Sequence, residues 1–389
     1  MPQIDNKNII QIIPNMEIGG AEKTVLEIGT YLKNTQYEPI VLTSGGRMIE
    51  NLKEEKIKVL TRKIDQKNPY KIFTNIEKFK NIFLENKVSL VHARSRAPAW
   101  SSYYASKQLN IPFITTWHGH AENSSFFKKK YNSIMLKGNA VIANSKYTAK
   151  KISENYDYDI SNIDIIPRGV SSSDYTSNNF LEKEILDLKR KWVIKDGQKV
   201  ILLPARYTRW KGHELAIRAC SKIIEENPKL NISIIFIGDK KGNEKYVSNL
   251  EKLSNALGLS NYIKILGNFN NMALAYHVSD IILYPSIIPE PFGRVPIEAQ
   301  AAGKIIIASN NGGMTETIKE GEDNTGFRIR NNDMEDLKNK INIALNLNND
   351  EINNLRKRAI EHVDKNFSLE NMCKKTLDVY DRILNVSKK

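Results

Sequence analysis

Cysteine is nearly absent: Cys220 and Cys373 are the two thiols in 389 residues, far apart and each in a helix-like pattern. A disulfide framework or a thiolate metal site needs clustered or regularly spaced cysteines, so two buried, reduced thiols are expected instead. No apolar run approaches the roughly 18 residues of a membrane-spanning helix. Runs such as 200–203 are strand-sized. The opening Met1-Pro-Gln-Ile-Asp-Asn-Lys lacks the apolar stretch and small-residue cleavage site of a secretory signal, so a soluble, cytoplasmic protein is expected. The Asp157-Tyr158-Asp159 triplet lies among polar residues and not at the end of a buried strand. That argues against the several convergent oxygens a divalent ion needs.

Acidic residues are also in short supply, 44 against 58 basic ones, leaving a net charge of +14. This permits a nucleic acid, an anionic membrane or an anionic substrate as partner, and selects none of them. Nucleic acid is disfavoured because no interleaved aromatic stacking platform accompanies the lysines. One local cluster is more informative: Phe126 and Phe127 precede Lys128, Lys129 and Lys130 on a helix expected to run to about Leu136. It reads either as a solvated face or as a surface that docks on an anionic bilayer.

What the chain has is alternation. Strand-like runs at 9–13, 39–42, 89–92, 113–116 and 140–143 are separated by helix-period stretches, and the pattern restarts at 200–203, 232–237, 263–266, 281–284 and 305–307. Two doubly wound α/β domains with parallel sheets follow. The length agrees, because it exceeds what one core normally serves. The Ser-, Asp- and Asn-rich stretch after Gly169 is the expected hinge, giving domains at 1–170 and 181–366 joined by 171–180.

The densest chemistry lies at 280–317, where a buried-strand pattern leads into Glu290-Pro-Phe-Gly-Arg-Val-Pro-Ile-Glu298 and a second strand opens into Asn311-Gly312-Gly313. Ligands of parallel sheets sit at the carboxyl ends of strands. Backbone N–H groups after Gly293 should face an anion, since the first turn of a helix has no internal acceptors for them. Carboxylates beside such a site should face hydroxyl donors, as sugar and ribose provide.

This segment resembles the signature of the retaining glycosyltransferases of family 4, which have the GT-B fold: two Rossmann-like domains facing a cleft. The resemblance implies that Glu290 contacts the transferred sugar and Glu298 the ribose, with Phe292, Gly293, Arg294 and Val295 around the donor. It implies that Gly19 and Gly20 face the donor diphosphate, and that His118, in Thr116-Trp117-His118-Gly119-His120, contacts the donor sugar, with His120 as its rival. Arg206 and Lys211 become a diphosphate clamp; an Arg fork and a mobile Lys charge suit that task. Gly238, Asp239, Gly312 and Gly313 join the donor pocket, and the region of Gly267-Asn268-Phe269 the base. Glu316 stands farther out. Arg94 and Arg96, at the end of another strand, are read as contacts either to the acceptor or to an acidic group nearby, with Phe126 to Lys130 at a membrane that carries a lipid-linked acceptor. The tail 367–389 is expected to pack back on the first domain through Met372, Leu377, Tyr380 and Leu384. Catalysis then falls to Glu290, His118, Arg206 and Lys211.

The expected reaction is retaining, metal-independent and cofactor-free transfer of a sugar from a nucleotide diphosphate sugar to a hydroxyl, in cell-envelope glycan or glycolipid synthesis. A glycoside hydrolase would leave the cations and glycine loops without purpose. The further rivals are a sugar-nucleotide epimerase, a non-catalytic donor-binding module and a basic nucleic-acid-binding protein. The sequence departs from many relatives at Arg168-Gly169-Val170, where they have Asn before the glycine; this is expected to bear on the hinge more than on chemistry.

Overall fold

The strand-forming runs are rich in Ile, Val and Leu on both faces, the composition of strands covered on two sides by helices. The computed structural model describes residues 7–66, 68–119, 125–176 and 180–386. It divides into two units, Met1–Gly169 with Leu369–Lys389, and Val170–Ser368. Among the described residues every pairing between strands of the two sheets is parallel.

In the first unit, strands β1 (Lys7–Ile12), β2 (Tyr37–Thr43), β3 (Lys58–Thr61), β4 (Val88–Ala93), β5 (Phe113–Trp117), β6 (Ala140–Ala143) and β7 (Ile163–Ile165) form a sheet of order 3-2-1-4-5-6-7. Its helices are α1 (Gly20–Leu32), α2 (Ile49–Glu54), α3 (Pro69–Glu85), α4 (Arg96–Gln108), α5 (Phe126–Asn132) and α6 (Lys146–Tyr156). The two-residue period of a strand sends Ile10 and Ile12 to one core and Ile9 to the other. The order reverses between β1 and β4, which opens a crevice at their carboxyl ends.

The second unit repeats the plan. Strands β8 (Lys199–Pro204), β9 (Ile232–Ile237), β10 (Ile263–Leu266), β11 (Ile281–Tyr284), β12 (Ile305–Ser309) and β13 (Phe327–Ile329) take the order 10-9-8-11-12-13, reversing between β8 and β11. Helices α7 (Glu182–Lys191), α8 (His213–Glu226), α9 (Glu244–Ala256), α10 (Met272–His277), α11 (Arg294–Ala301), α12 (Met334–Asn346) and α13 (Asn349–Asn366) accompany them.

The final helix α14 (Leu369–Val386) belongs to the first unit, where Met372, Tyr380 and Leu384 are buried with Ile9, Ile28 and Leu90, and Leu377 packs at the edge. Two details differ from simple pattern reading. The stretch expected to be a hinge is packed into the second unit as far as it is described: the Val170 amide donates to the Phe367 carbonyl at 2.9 Å, and Tyr175 is buried against Tyr276. The helix expected from Phe126 to Leu136 tightens into a 3-10 turn at Ser133–Leu136. That turn buries Ile134 and Met135, and the Thr115 hydroxyl holds the Met135 carbonyl at 2.5 Å. The Asp157-Tyr158-Asp159 triplet serves the backbone: Asp157 ends α6 in the left-handed region, and Asp159 accepts the Ser161 amide at 2.9 Å. Cys220 and Cys373 are both buried and free, and burial raises each thiol to about 12.

Candidate functional site

In the second unit the reversal point collects the chemistry. The loop after β8 carries Arg206 and Lys211, and the loop after β11 carries Glu290. Three donors converge on Glu290 Oε1: Lys211 Nζ at 2.5 Å, the Ser286 hydroxyl at 3.0 Å and the Tyr284 hydroxyl at 3.2 Å. Lys211 Nζ also donates to the Tyr284 hydroxyl, and it lies 4.3 Å from the Trp210 ring centroid and 4.6 Å from that of Tyr284. Burial pulls the Lys211 ammonium below the ordinary lysine value, and the Glu290 carboxylate opposes that pull. Two of its three N–H groups have partners here, so a third remains for an anion. Arg206 is exposed, its guanidinium 5.9 Å from the Trp210 ring.

Gly312 and Gly313 support Glu290 from behind. A Cβ on Gly312, whose φ is +57°, would stand 2.4 Å from the Glu290 carbonyl, and one on Gly313 would stand 2.3 Å from that of Pro291. The Gly313 amide donates to the Glu290 carbonyl at 2.7 Å. Their missing side chains thus admit the glutamate loop itself, where the sequence suggested close approach to a donor. Gly238 is similar, its Cβ position 2.2 Å from the Ala205 carbonyl.

Glu298 sits on α11 with both oxygens engaged, Oε1 by Arg294 Nε at 3.0 Å and Oε2 by the Tyr276 hydroxyl at 3.0 Å. Each oxygen retains acceptor capacity for a further hydroxyl. Arg294 therefore orients Glu298. The Phe292 ring is buried on Phe367, so what it can offer a ligand is backbone. Val295 is half-buried behind Gly293, where α11 starts without a side-chain cap. Asp239 turns back to accept the Lys241 amide at 3.0 Å, and Phe269 packs on Trp192.

In the first unit the corresponding crevice centres on His118. Arg168 Nη2 lies 2.9 Å from its Nδ1, and Arg94 Nη1 lies 3.4 Å from its Nε2. A neutral imidazole accepts at one nitrogen only. The shorter contact assigns the lone pair to Nδ1 and leaves the Nε2 proton for a ligand. Burial, reinforced first by Arg168 and then by Arg94, holds His118 well below the ordinary histidine value. Arg168 Nη1 also donates to the Gly20 carbonyl and the Thr24 hydroxyl, tying α1 to the imidazole. Arg94 is itself positioned by Gln11 Oε1 at 2.9 Å and by His92 at 3.3 Å, and His92 by the Tyr380 hydroxyl at 2.7 Å and that of Thr116 at 2.6 Å. The Arg96 guanidinium lies 5.1 Å from the Trp117 ring.

Gly19, Gly20, Arg94, Arg96 and His118 thus fall at one sheet end, and Arg168 joins them. The departure at Arg168-Gly169-Val170, expected to bear on the hinge more than on chemistry, places a guanidinium on the His118 ring. The visible signal of Arg168 was that departure from the usual Asn. Gly19 is extended, with φ −166°, so backbone strain does not account for it. His120 lies outside the described residues. Phe126 and Phe127 are 75% and 82% exposed, and Lys129 lies 5.9 Å from the Tyr156 ring. Among the described residues no group of His, Cys, Asp and Glu is arranged to hold a metal, and no helix is long and apolar enough to cross a membrane.

Known proteins share the family signature and the fold. Residues 18–174 match Glycosyltransferase Family 4, and residues 184–365 match the Glycosyl transferases group 1. The chain is similar to the crystal structure of a glycosyltransferase from Rickettsia africae ESF-5, with a TM-score of 0.89 and 35% identity over 98% of this chain and 99% of that one. It is similar in fold to Anabaena HepE, solved with UDP and glucose, at a TM-score of 0.84 and 20% identity over 97% and 100% of the two chains. An uncharacterized glycosyltransferase of Methanocaldococcus jannaschii is 32% identical over 182 residues, 46% of this chain. That match spans 44% of the archaeal protein's length.

Proposed function

The chain belongs to the family 4 glycosyltransferases of the GT-B fold, and from that premise we propose that it transfers a sugar from a nucleoside diphosphate sugar to an acceptor hydroxyl, with retention and without a metal. The acceptor oxygen bonds to the anomeric carbon as the bond to the diphosphate oxygen breaks. The hydroxyl proton passes to the leaving phosphate. Charge grows on that diphosphate, where the exposed Arg206, the third N–H of Lys211 and the first-turn amides of α11 are the stabilising groups. In the second unit Glu290 orients the sugar and Glu298 the ribose; in the first, the His118 Nε2 proton is available to a ligand oxygen.

The observation that carries this reading is the buried Lys211–Glu290 pair at the reversal of the second sheet, 2.5 Å apart. A hydrolase pair of carboxylates would flank a scissile bond without a cation locked on one of them. Anabaena HepE was solved with UDP, which makes UDP-sugars the first donors to test. The assay follows nucleoside diphosphate release with and without acceptors. Release that requires an acceptor and persists with a chelator supports the proposal; acceptor-independent donor conversion points to an epimerase, and loss with chelator overturns metal independence.

We further assign α5 to an anionic membrane surface at the cytoplasmic face, as in envelope glycan synthesis on a lipid-linked acceptor. Two exposed aromatic rings beside Lys128, Lys129 and Lys130 support it. Sedimentation with phosphatidylglycerol vesicles should fall on Phe126→Ser with Phe127→Ser; equal sedimentation of both proteins rejects the assignment.

A further inference from the structure

The crevice of the first unit holds more positive charge than a neutral sugar calls for. A cavity of about 230 Å³ opens at the carboxyl ends of β4 and β5, lined by Arg94, Ser95, Arg96, Trp117, His118 and their neighbours. A narrow cleft of about 20 Å³ beside it adds Arg168 on the far side of the His118 ring. Neither is lined by a carboxylate among the described residues. Three guanidiniums therefore surround one imidazole that is itself kept neutral.

Each guanidinium is held in place. Arg94 is 4% exposed and pinned by Gln11, Arg168 is 5% exposed and pinned by Gly20 and Thr24, and Arg96 lies across Trp117. Immobilised planar forks match the oxygens of phosphate or carboxylate, and fixing them beforehand removes much of the ordering cost of binding. Ser95 precedes α4 without its side chain capping the helix, and it too lines the cavity.

We propose that this cavity binds an anionic substituent, phosphate or carboxylate, of the acceptor, so that the enzyme selects negatively charged acceptors. The inference rests on the glycosyl-transfer reading above and names the substrate class of that site. The donor's diphosphate is the competing source of the same chemistry.

Thermal unfolding in inorganic phosphate, against chloride at matched ionic strength, separates the two sources when repeated with saturating nucleoside diphosphate. Phosphate should raise Tm in the wild type with the nucleotide present, and should do so far less in Arg96→Gln. Stabilisation that vanishes once the nucleotide is bound would assign the anion to the donor and overturn the proposal. Acceptor preference is the second readout: a phosphorylated sugar should exceed its dephosphorylated form in kcat/KM by about tenfold or more. Arg96→Gln should erase the preference and Arg96→Lys restore part of it, while donor binding persists in both. Equal use of charged and neutral acceptors by a wild type that binds donor defeats the charge selection alone. Failure to bind any nucleotide sugar defeats the glycosyl-transfer reading instead.

Discussion

Lys211 Nζ stands 2.5 Å from Glu290 Oε1, with both side chains less than a tenth exposed. A buried pair of this kind is costly to break from one side, because the surviving charge has no water to replace its partner. Lys211→Ala should therefore lower unfolding free energy by about 3–5 kcal/mol. Joint replacement, Lys211→Met with Glu290→Leu, should destabilise less than Lys211→Ala while abolishing transfer. Urea denaturation of the variants checks this; additive losses would contradict the pairing.

Gly312 is the second sensitive point. Its φ of +57° and the 2.4 Å from a Cβ to the Glu290 carbonyl leave no room for a side chain. Gly312→Ala should cost about 1–3 kcal/mol by overpacking. It should also lower kcat more than it raises donor KM, because the displaced group is the glutamate. Unaltered kinetics in this variant would remove the support role.

Glu298 takes hydrogen bonds from both Arg294 and Tyr276. In the proposed donor pose, its replacement by Ala leaves those two donors without their carboxylate and removes an acceptor for the ribose. Donor affinity should fall about tenfold to a hundredfold, the worth of a hydrogen bond to a charged group. Isothermal titration with the nucleotide tests it, and unchanged affinity would place the ribose elsewhere.

Histidines held below their ordinary value predict the response to acid. Burial, then Arg94, holds His92 well below its ordinary value; burial, then Arg168 and Arg94, does the same for His118; burial lowers His213 to about 4. The unfolded chain takes up protons near pH 6.5 that the folded chain refuses, so stability is full above that pH and falls as pH drops below it. At pH 5.5 each contributes a loss of about 1 kcal/mol relative to pH 7.5. His213→Phe should flatten the part belonging to the second unit. Greater stability at pH 5.5 than at 7.5 would contradict it.

Arg168 links the Gly20 carbonyl to the His118 ring. Arg168→Asn removes a neighbouring cation, so the His118 resonance should titrate at higher pH than in the wild type, with kcat reduced. A His118 titration identical in the two proteins would show that the contact is not made in solution.

Much of this was legible in the residues themselves. Ile, Val and Leu runs of strand length separated by helical periods announce parallel sheets, because strands buried on both faces have no polar side to alternate. Glu290 and Glu298 stood out because Pro-Phe-Gly-Arg between buried strands is poor surface chemistry. The apolar stripe of α14 was equally plain, since helical spacing alone puts Met372, Tyr380 and Leu384 on one face.

Other assignments needed distances across the chain. Nothing in local order says that Lys211 binds a carboxylate 79 positions away, that Gly312 makes room for Glu290, or that Arg168 reaches back 148 positions to Gly20. Side-chain periodicity encodes which way a residue faces within its own element, and the sequence by itself therefore determined the elements, their layering and the types of charge at strand ends. Which charge meets which depends on the strand order 3-2-1-4 and 10-9-8-11, set by packing over the whole sheet. Only the tertiary structure decided those partners, because residues remote along the chain become neighbours through that order and not through their spacing.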